Sequence, residues 1–293
     1  MEDNMKLRME EYRSMVEAFL NECPALSDVP YRRLLEAMRY SVTAGGKRLR
    51  PILALEFCRV CGGDVQAALP AACGLELLHT YSLIHDDLPC MDDDALRRGK
   101  PSNHIVFGEC TATLAGDALQ ALAFETVLSA PLPPERVLRC AQLLSHAAGA
   151  EGICGGQQLD LEWEERTLGR DELLQIHRRK TSALIHAACL MGVAAAGGGE
   201  VQQRAAAAYA AALGLAFQIR DDMLDVIGDE QEFGKPIGSD KQEKKTTFVD
   251  LLGLNGCAQE VERLTGEAVA ALEPLEDTQL LCGLAHALMT RRS

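Results

Sequence analysis

Carboxylates at helical spacing are the first feature of this chain that could do chemistry. Gln218, Asp221, Asp222 and Asp225 fall at i, i+3, i+4 and i+7, so on a helix they share one face. Around them Leu213, Leu215, Phe217, Ile219, Met223, Leu224, Val226 and Ile227 leave almost no other direction free of apolar side chains, which predicts a helix inside a bundle. The plain reading of an acidic stripe is a solvated face. Solvent-facing helix sides usually mix both signs of charge, however, and a bundle interior has no use for three carboxylates without cations. At about 5 Å and an effective dielectric near 20, each like-charge contact costs roughly 3 kcal/mol.

A second acidic group, Asp86, Asp87, Asp92, Asp93 and Asp94, closes an apolar segment that contains Leu75, Leu77, Leu78, Tyr81, Leu83 and Ile84. His79, Ser82 and Asp86 align on that segment as another polar stripe. Pro89 cannot continue a regular helix, so the chain should end or kink near Leu88 and bring Asp92 back toward Asp86. Two such stripes can face each other across a cavity. Hard oxygen ligands without a histidine or thiolate set favour magnesium, which keeps waters and is completed by substrate phosphates. No stretch matches the calcium-loop pattern of alternating acids, a Gly and a distant Glu.

Basic residues are few, yet they gather beside these acids. Lys47, Arg48 and Arg50 read as part of a helix begun by Gly45-Gly46, Arg97, Arg98 and Lys100 follow the first acidic group, and Lys235, Lys241, Lys244 and Lys245 follow the second. Any one group alone would read as solvated surface charge. Three groups at helix edges suit diphosphates, with Arg forking two oxygens and Lys supplying a point charge. Carboxylates for magnesium and cations for phosphate together imply chemistry on a diphosphate.

The elements that must position these groups are helices. Apolar residues recur at helical spacing, as in Met9, Tyr12, Val16 and Phe19, two-residue alternation is scarce, and the class is all-α. Turn signals fall at Pro24 to Pro30, Gly45-Gly46, Gly62-Gly63, Pro131 to Pro134, Gly155-Gly156, Gly197 to Gly199 and the polar run from Gly228 to Lys245. Without a compositional break or fixed repeat, residues 1–293 read as one domain. The 293 residues are 47% hydrophobic and 25% charged, the composition of a globular chain, and 43 acidic against 29 basic residues leave a net charge of -14 that argues against nucleic-acid and anionic-lipid partners. The longest apolar stretches, such as Ala205 to Leu215, break before the roughly 20 residues of a membrane span. The start Met1-Glu2-Asp3 carries no apolar signal segment, so a cytoplasmic location is expected. Eleven cysteines then read as reduced thiols; only Cys58 and Cys61 have paired spacing, and with no second pair they read as core residues rather than zinc ligands.

The segments Gly45-Gly46-Lys47-Arg48-Leu49-Arg50-Pro51, Asp86-Asp87-Leu88-Pro89-Cys90-Met91-Asp92-Asp93-Asp94, Gly155-Gly156-Gln157-Gln158, Lys180-Thr181 and Phe217-Gln218-Ile219-Arg220-Asp221-Asp222-Met223-Leu224-Asp225 closely resemble the trans-isoprenyl diphosphate synthases, in that family's order, and most nearly the bacterial farnesyl diphosphate synthases within it. The likeness runs with motifs from about Tyr31 to Leu252. The resemblance implies an isoprenoid synthase-like bundle of about ten or more helices around a deep central cavity, usually a homodimer. It implies a magnesium-dependent head-to-tail condensation of isopentenyl diphosphate with an allylic diphosphate, dimethylallyl or geranyl. By it, Asp86 and Asp92, with Asp87 nearby, would hold two magnesium ions, and Asp221, with Asp222 and Asp225, a third. Arg97, Lys180, Thr181, Gln218, Lys235 and Lys245 match contacts to the allylic diphosphate, and Lys47, Arg50, His79 and Arg98 match the isopentenyl site.

The implied mechanism is electrostatic: charge growing on the departing pyrophosphate is stabilised, the allylic C–O bond ionises, the isopentenyl double bond attacks, and proton loss to the pyrophosphate restores an alkene one isoprene unit longer. Apolar walls exclude water that would quench the cation. Tyr81, Ser82 and Leu78, upstream of the first motif, match the family's chain-length gate. Ala95 stands where close relatives carry a further Asp, Ser102-Asn103 departs from commoner forms, and the doubled Lys244-Lys245 leaves open which of the two contacts diphosphate. A geranylgeranyl diphosphate synthase and a non-catalytic helical partner subunit are the competing readings. A terpene cyclase would need no second diphosphate site, so Lys47, Arg50 and Arg98 argue against it.

Overall fold

In the computed structural model, the described residues are 2–164, 166–227 and 245–290. They form helices α1 (Glu2–Asn21), α2 (Arg32–Val42), α3 (Leu49–Val60), α4 (Val65–Asp86), α5 (Asn103–Phe107), α6 (Glu109–Leu128), α7 (Pro134–Ala148), α8 (Ile153–Glu162), α9 (Arg170–His177), α10 (Ala183–Ala196), α11 (Glu200–Ile227), α12 (Phe248–Ala271) and α13 (Gln279–Thr290). A π turn, Arg178–Ser182, joins α9 to α10. Among the described residues the extended structure is one antiparallel pair, β1 (Leu96–Arg97) with β2 (Lys100–Pro101). The expected all-α class is what the chain adopts.

Local chemistry sets several helix starts. The Asp64 carboxylate accepts the amides of Gln66 (2.9 Å) and Ala67 (3.3 Å), capping α4. At α12, the Thr247 hydroxyl accepts the Asp250 amide (3.3 Å) while Asp250 accepts the Thr247 amide (2.8 Å), a reciprocal capping box. α3 begins at Leu49, so Lys47 and Arg48 precede the helix in which the sequence placed them.

The core is built around α4 and α10. α4 lies against α3, α6 and α10, and α10 against α3, α7 and α11. On α10, Leu184, Ile185, Ala188, Cys189 and Val193 are buried, so this helix has almost no solvent face. Contrary to the expectation that every apolar stretch breaks before membrane length, α4 is 22 residues long and apolar enough by composition to cross a membrane; 72% of its apolar stretch is buried inside the bundle. α11 meets the expectation of an enclosed rod at Leu213, Ile219, Met223 and Leu224 but not at its end, where Val226 (49%) and Ile227 (53%) are exposed. All eleven cysteines are free thiols, and Cys58 is buried in the core.

Candidate active site

The acidic loop leaves the end of α4 and folds back on it. Leu88 N–H donates to the His85 carbonyl (3.1 Å), Met91 N–H to Leu88 (2.8 Å) and Asp92 N–H to Asp86 (2.9 Å). The turn at Pro89 thus returns Asp92 to Asp86, as the sequence predicts. Burial pushes the Asp86 carboxyl up to about 6, with Asp92 and Asp87 adding to the rise and Lys180 and Arg97 opposing it. Such a carboxylate gains from an added cation. Asp87 is placed differently: buried beside α4, it accepts Arg97 Nε at 2.8 Å and a second bond from Arg97 Nη2, which also reaches Asp94 at 2.8 Å. Arg97, matched to the allylic diphosphate, thereby stands fixed beside the acidic loop on β1.

A polar chain ties α11 to its neighbours. Thr181 Oγ1 donates to Gln218 Oε1 (2.9 Å), Gln218 Nε2 donates to Asp222 Oδ1 (2.9 Å), and Asp222 Oδ2 accepts the Phe248 amide (2.7 Å). Asp222 therefore fixes the start of α12 to α11, and Asp225 is buried one turn further on. Asp221 lies close enough to Arg50 to stabilise its charge. Lys245, just before α12, has its Nζ 4.0 Å from Asp92 Oδ1 and 3.8 Å from Asp160 Oδ2. Lys235 and Lys244 lie outside the described residues.

Asp160, on α8, is the functional-site residue that sequence reasoning missed. It accepts Lys180 Nζ at 2.6 Å. Burial would raise its pKa, but Lys180 and Lys245 outweigh that and hold the carboxyl below its ordinary value. Burial likewise pulls on Lys180, and Asp160, Asp92 and Asp86 together raise its ammonium above the usual range. α8 and the π turn meet closely enough that a Cβ on Gly156 would stand 2.3 Å from the Lys180 amide nitrogen, so Gly is required there. The one sequence signal was the motif itself: Asp160 is three residues after Gln157 of Gly-Gly-Gln-Gln.

The basic residues form a second group. Arg50, on α3, is half-buried with its Nε enclosed and without a hydrogen-bond partner. Its pKa is lowered by burial, with Glu76 opposing and Arg98 adding. Arg98 bonds to the Gly45 carbonyl and lies 3.5 Å from Glu76 Oε1. Gly46 packs flat on this guanidinium, where a Cβ would stand 2.8 Å from Arg98 Cζ. Burial and then Arg50, Arg98, Arg97 and Arg48 push His79 well below its ordinary pKa, so its imidazole is neutral. Lys47 is exposed at the edge. Arg48 turns inward instead, to Glu17 (2.7 Å), Glu76 (2.8 Å) and the Val42 carbonyl (2.8 Å).

Further up α4, Leu78 and Tyr81 are buried. The Tyr81 hydroxyl lies 3.7 Å from Cys154 Sγ, and its ring packs edge-on against His85 at 5.6 Å. Ser82 Oγ donates to the His79 carbonyl (3.0 Å).

Among the described residues no three His, Cys, Asp or Glu side chains converge on one point as a protein-only metal site. The donors are carboxylates on separate elements, α11 and the end of α4 with its loop, which fits magnesium completed by water and substrate oxygens rather than a closed cage.

An all-helical bundle in which carboxylates and lysines gather near a guanidinium–imidazole group suits an enzyme that handles diphosphates. The chain belongs to the polyprenyl synthetase family, whose pattern matches residues 31–278, and it is a trans-prenyltransferase of the farnesyl and geranylgeranyl diphosphate synthase group. It is 46% identical over 263 residues, 84% of this chain and 87% of the other, to a farnesyl diphosphate synthase of Geobacillus stearothermophilus. It is 48% identical over 249 residues to geranylgeranyl pyrophosphate synthase 3 of Arabidopsis thaliana, covering 82% of this chain and 69% of that one. The crystal structure of an FPP/GFPP synthase from Zymomonas mobilis superposes with a TM-score of 0.89 at 35% identity, covering 99% of this chain and all of the other.

Proposed function

We propose that the chain, as one polyprenyl synthase domain over 1–293, condenses isopentenyl diphosphate with dimethylallyl and then geranyl diphosphate to farnesyl diphosphate. The observation that carries this reading is that the cations fall into two groups by their partners: Lys180 and Lys245 among Asp86, Asp92 and Asp160, and Arg50 and Arg98 beside a neutral His79. Two anionic substrates need two such places. Asp86, Asp92, Asp221, Asp222 and Asp225 would hold about three magnesium ions, with Asp87 acting through its bond to Arg97. Magnesium, when bound, neutralises charge growing on the pyrophosphate.

The chain's own residues do the rest. Lys180, Lys245 and Arg97 hold the allylic diphosphate, Thr181 and Gln218 orient its oxygens, and Lys235 matches a further contact outside the described residues. Arg50, Arg98 and His79 fix the isopentenyl diphosphate, with Lys47 at the rim, so that its double bond faces the allylic carbon. The neutral imidazole donates a hydrogen bond without competing as a base. Buried Tyr81, with Leu78 behind it and Ser82 beside it, ends the space for the tail.

Leu114 and Leu128 on α6 and Leu138 on α7 are more than half exposed, a face suited to a second copy of the chain. Light scattering on the eluting protein tests that homodimer. Incubation of the pure protein with magnesium, isopentenyl diphosphate and each allylic starter, followed by sizing of the products, tests the function. A fifteen-carbon main product is expected; twenty carbons would make it a geranylgeranyl diphosphate synthase, and no product a non-catalytic subunit.

A further inference from the structure

We infer that Glu76 is a positioning residue for the isopentenyl diphosphate site: braced by Arg48, it holds the guanidinium group of Arg98 in the arrangement that grips the substrate. This rests on the assignment of Arg50, Arg98 and His79 to that site. Glu76 lies on α4, one turn before His79, and is 2% exposed. A carboxylate so enclosed persists as an ion only if cations meet it. Its Oε1 accepts Arg48 Nη1 at 2.8 Å and stands 3.5 Å from Arg98 Nη2, and it also stabilises the charge of Arg50.

The two arginines differ in freedom. Arg48 is saturated by Glu17, Glu76 and the Val42 carbonyl, so its guanidinium is a strut joining α1, the end of α2 and α4. Arg98 sits in the left-handed region (φ 54°), is tied to the Gly45 carbonyl and is covered by Gly46, and Glu76 is its only acidic side-chain partner among the described ion pairs. Without that partner, Arg98 and Arg50 repel each other across the space an incoming diphosphate must enter.

Glu76 thus acts on an anion in two opposed ways. Its charge repels the diphosphate, and its bonds aim the groups that bind it. Removing the charge alone would favour isopentenyl diphosphate; losing the aim would disfavour it. The sign of the effect decides between them.

The experiment measures Michaelis constants for both substrates in Glu76→Gln, which removes the charge but keeps an acceptor, and in Glu76→Asp, which keeps the charge one methylene further back. We expect both to raise the constant for isopentenyl diphosphate about tenfold, with the allylic constant and kcat within about threefold. Arg48→Lys, which keeps the charge and loses the fork, should do the same from the other side of the pair and serves if the Glu76 variants do not fold. An unchanged or lowered constant for isopentenyl diphosphate in a folded variant overturns the inference, even if the melting temperature falls. Arg98→Ala separates the two layers: if it leaves that constant unchanged, the site assignment itself is wrong, whereas if it raises the constant and Glu76→Gln does not, only the role of Glu76 fails.

Discussion

Replacing Tyr81 by Ala should lengthen the product by one isoprene unit. Tyr81 is five residues before Asp86 on α4, about 7.5 Å along the helix axis from the acidic loop, and Leu78 is about 12 Å away. Removing the ring moves the floor from residue 81 to residue 78, about 4.5 Å deeper. One isoprene unit adds four chain carbons, roughly 5 Å at C–C distances near 1.5 Å once the zigzag is projected. Depth gained and length added therefore match at one unit, and the main product should move from fifteen to twenty carbons. The hole has a cost in stability of roughly 3–5 kcal/mol, the range for a buried aromatic cut to Ala, because Tyr81 is 5% exposed. In a chain of this size that corresponds to a fall in melting temperature of roughly 5–8 °C. The assay is incubation with isopentenyl and geranyl diphosphates, dephosphorylation and reversed-phase chromatography, beside a thermal melt. A fifteen-carbon product from a variant destabilised as expected, or a twenty-carbon product from the unaltered protein, would refute the assignment of Tyr81 as the floor.

Asp86→Ala and Asp221→Ala should each lower kcat by on the order of a thousandfold, and Asp86→Ala should cost no metal-free stability, because burial, Asp92 and Asp87 already disfavour its charge; steady-state rates and a melt without magnesium check this. Arg50→Ala and His79→Ala should raise the Michaelis constant for isopentenyl diphosphate more than for the allylic substrate and Lys180→Ala should do the reverse, so parallel changes would show the assignment of the two sites to be wrong. His177 has its pKa lowered by burial from 6.5 to about 4. The unfolded chain therefore takes up a proton there that the folded chain refuses: its contribution is whole above about pH 6.5 and is lost as the pH falls toward 4. His177→Gln should flatten the decline in stability over that window by about 2–3 kcal/mol, read from urea unfolding at stepped pH; an equal slope in both proteins would count against it.

What was legible in the sequence was whatever repeats or stops locally. The i, i+3, i+4, i+7 spacing of Gln218 to Asp225 places those side chains on one helix face, and the veto of Pro89 on helix continuation predicts the return of Asp92 to Asp86. Pairings across distant segments were not legible. Arg97 meets Asp87, Lys180 meets Asp160 twenty residues back, and Arg48 turns into Glu17 and Glu76, because helix packing brings these segments together and periodicity says only which face a residue occupies. Asp160 shows the limit plainly. The acid one turn on, Glu164, lies beyond the end of α8 and is exposed, so periodicity does not mark Asp160 out, and its significance comes from lysines on other elements. Lys47, read as part of a helix, stands outside α3 because Arg48 takes up a left-handed backbone in order to reach inward.

The π turn at Arg178–Ser182 has a consequence for how this chain can change in descent. α9, the turn and α10 form a nearly continuous rod whose first part is in register with α8 and α12 and whose second is in register with α3, α7 and α11. A π turn holds one residue more than a regular α-helical path. That surplus is a phase correction: deleting it would close the rod into an ordinary helix and rotate one half against the other by about 100°. Either α10 would leave its neighbours, or Lys180 and Thr181 would swing off the wall where Asp160 and Gln218 meet them. Substitutions in Arg178–Ser182 can be absorbed one at a time, but the count of residues in that turn is as much a part of the site as the lysine itself.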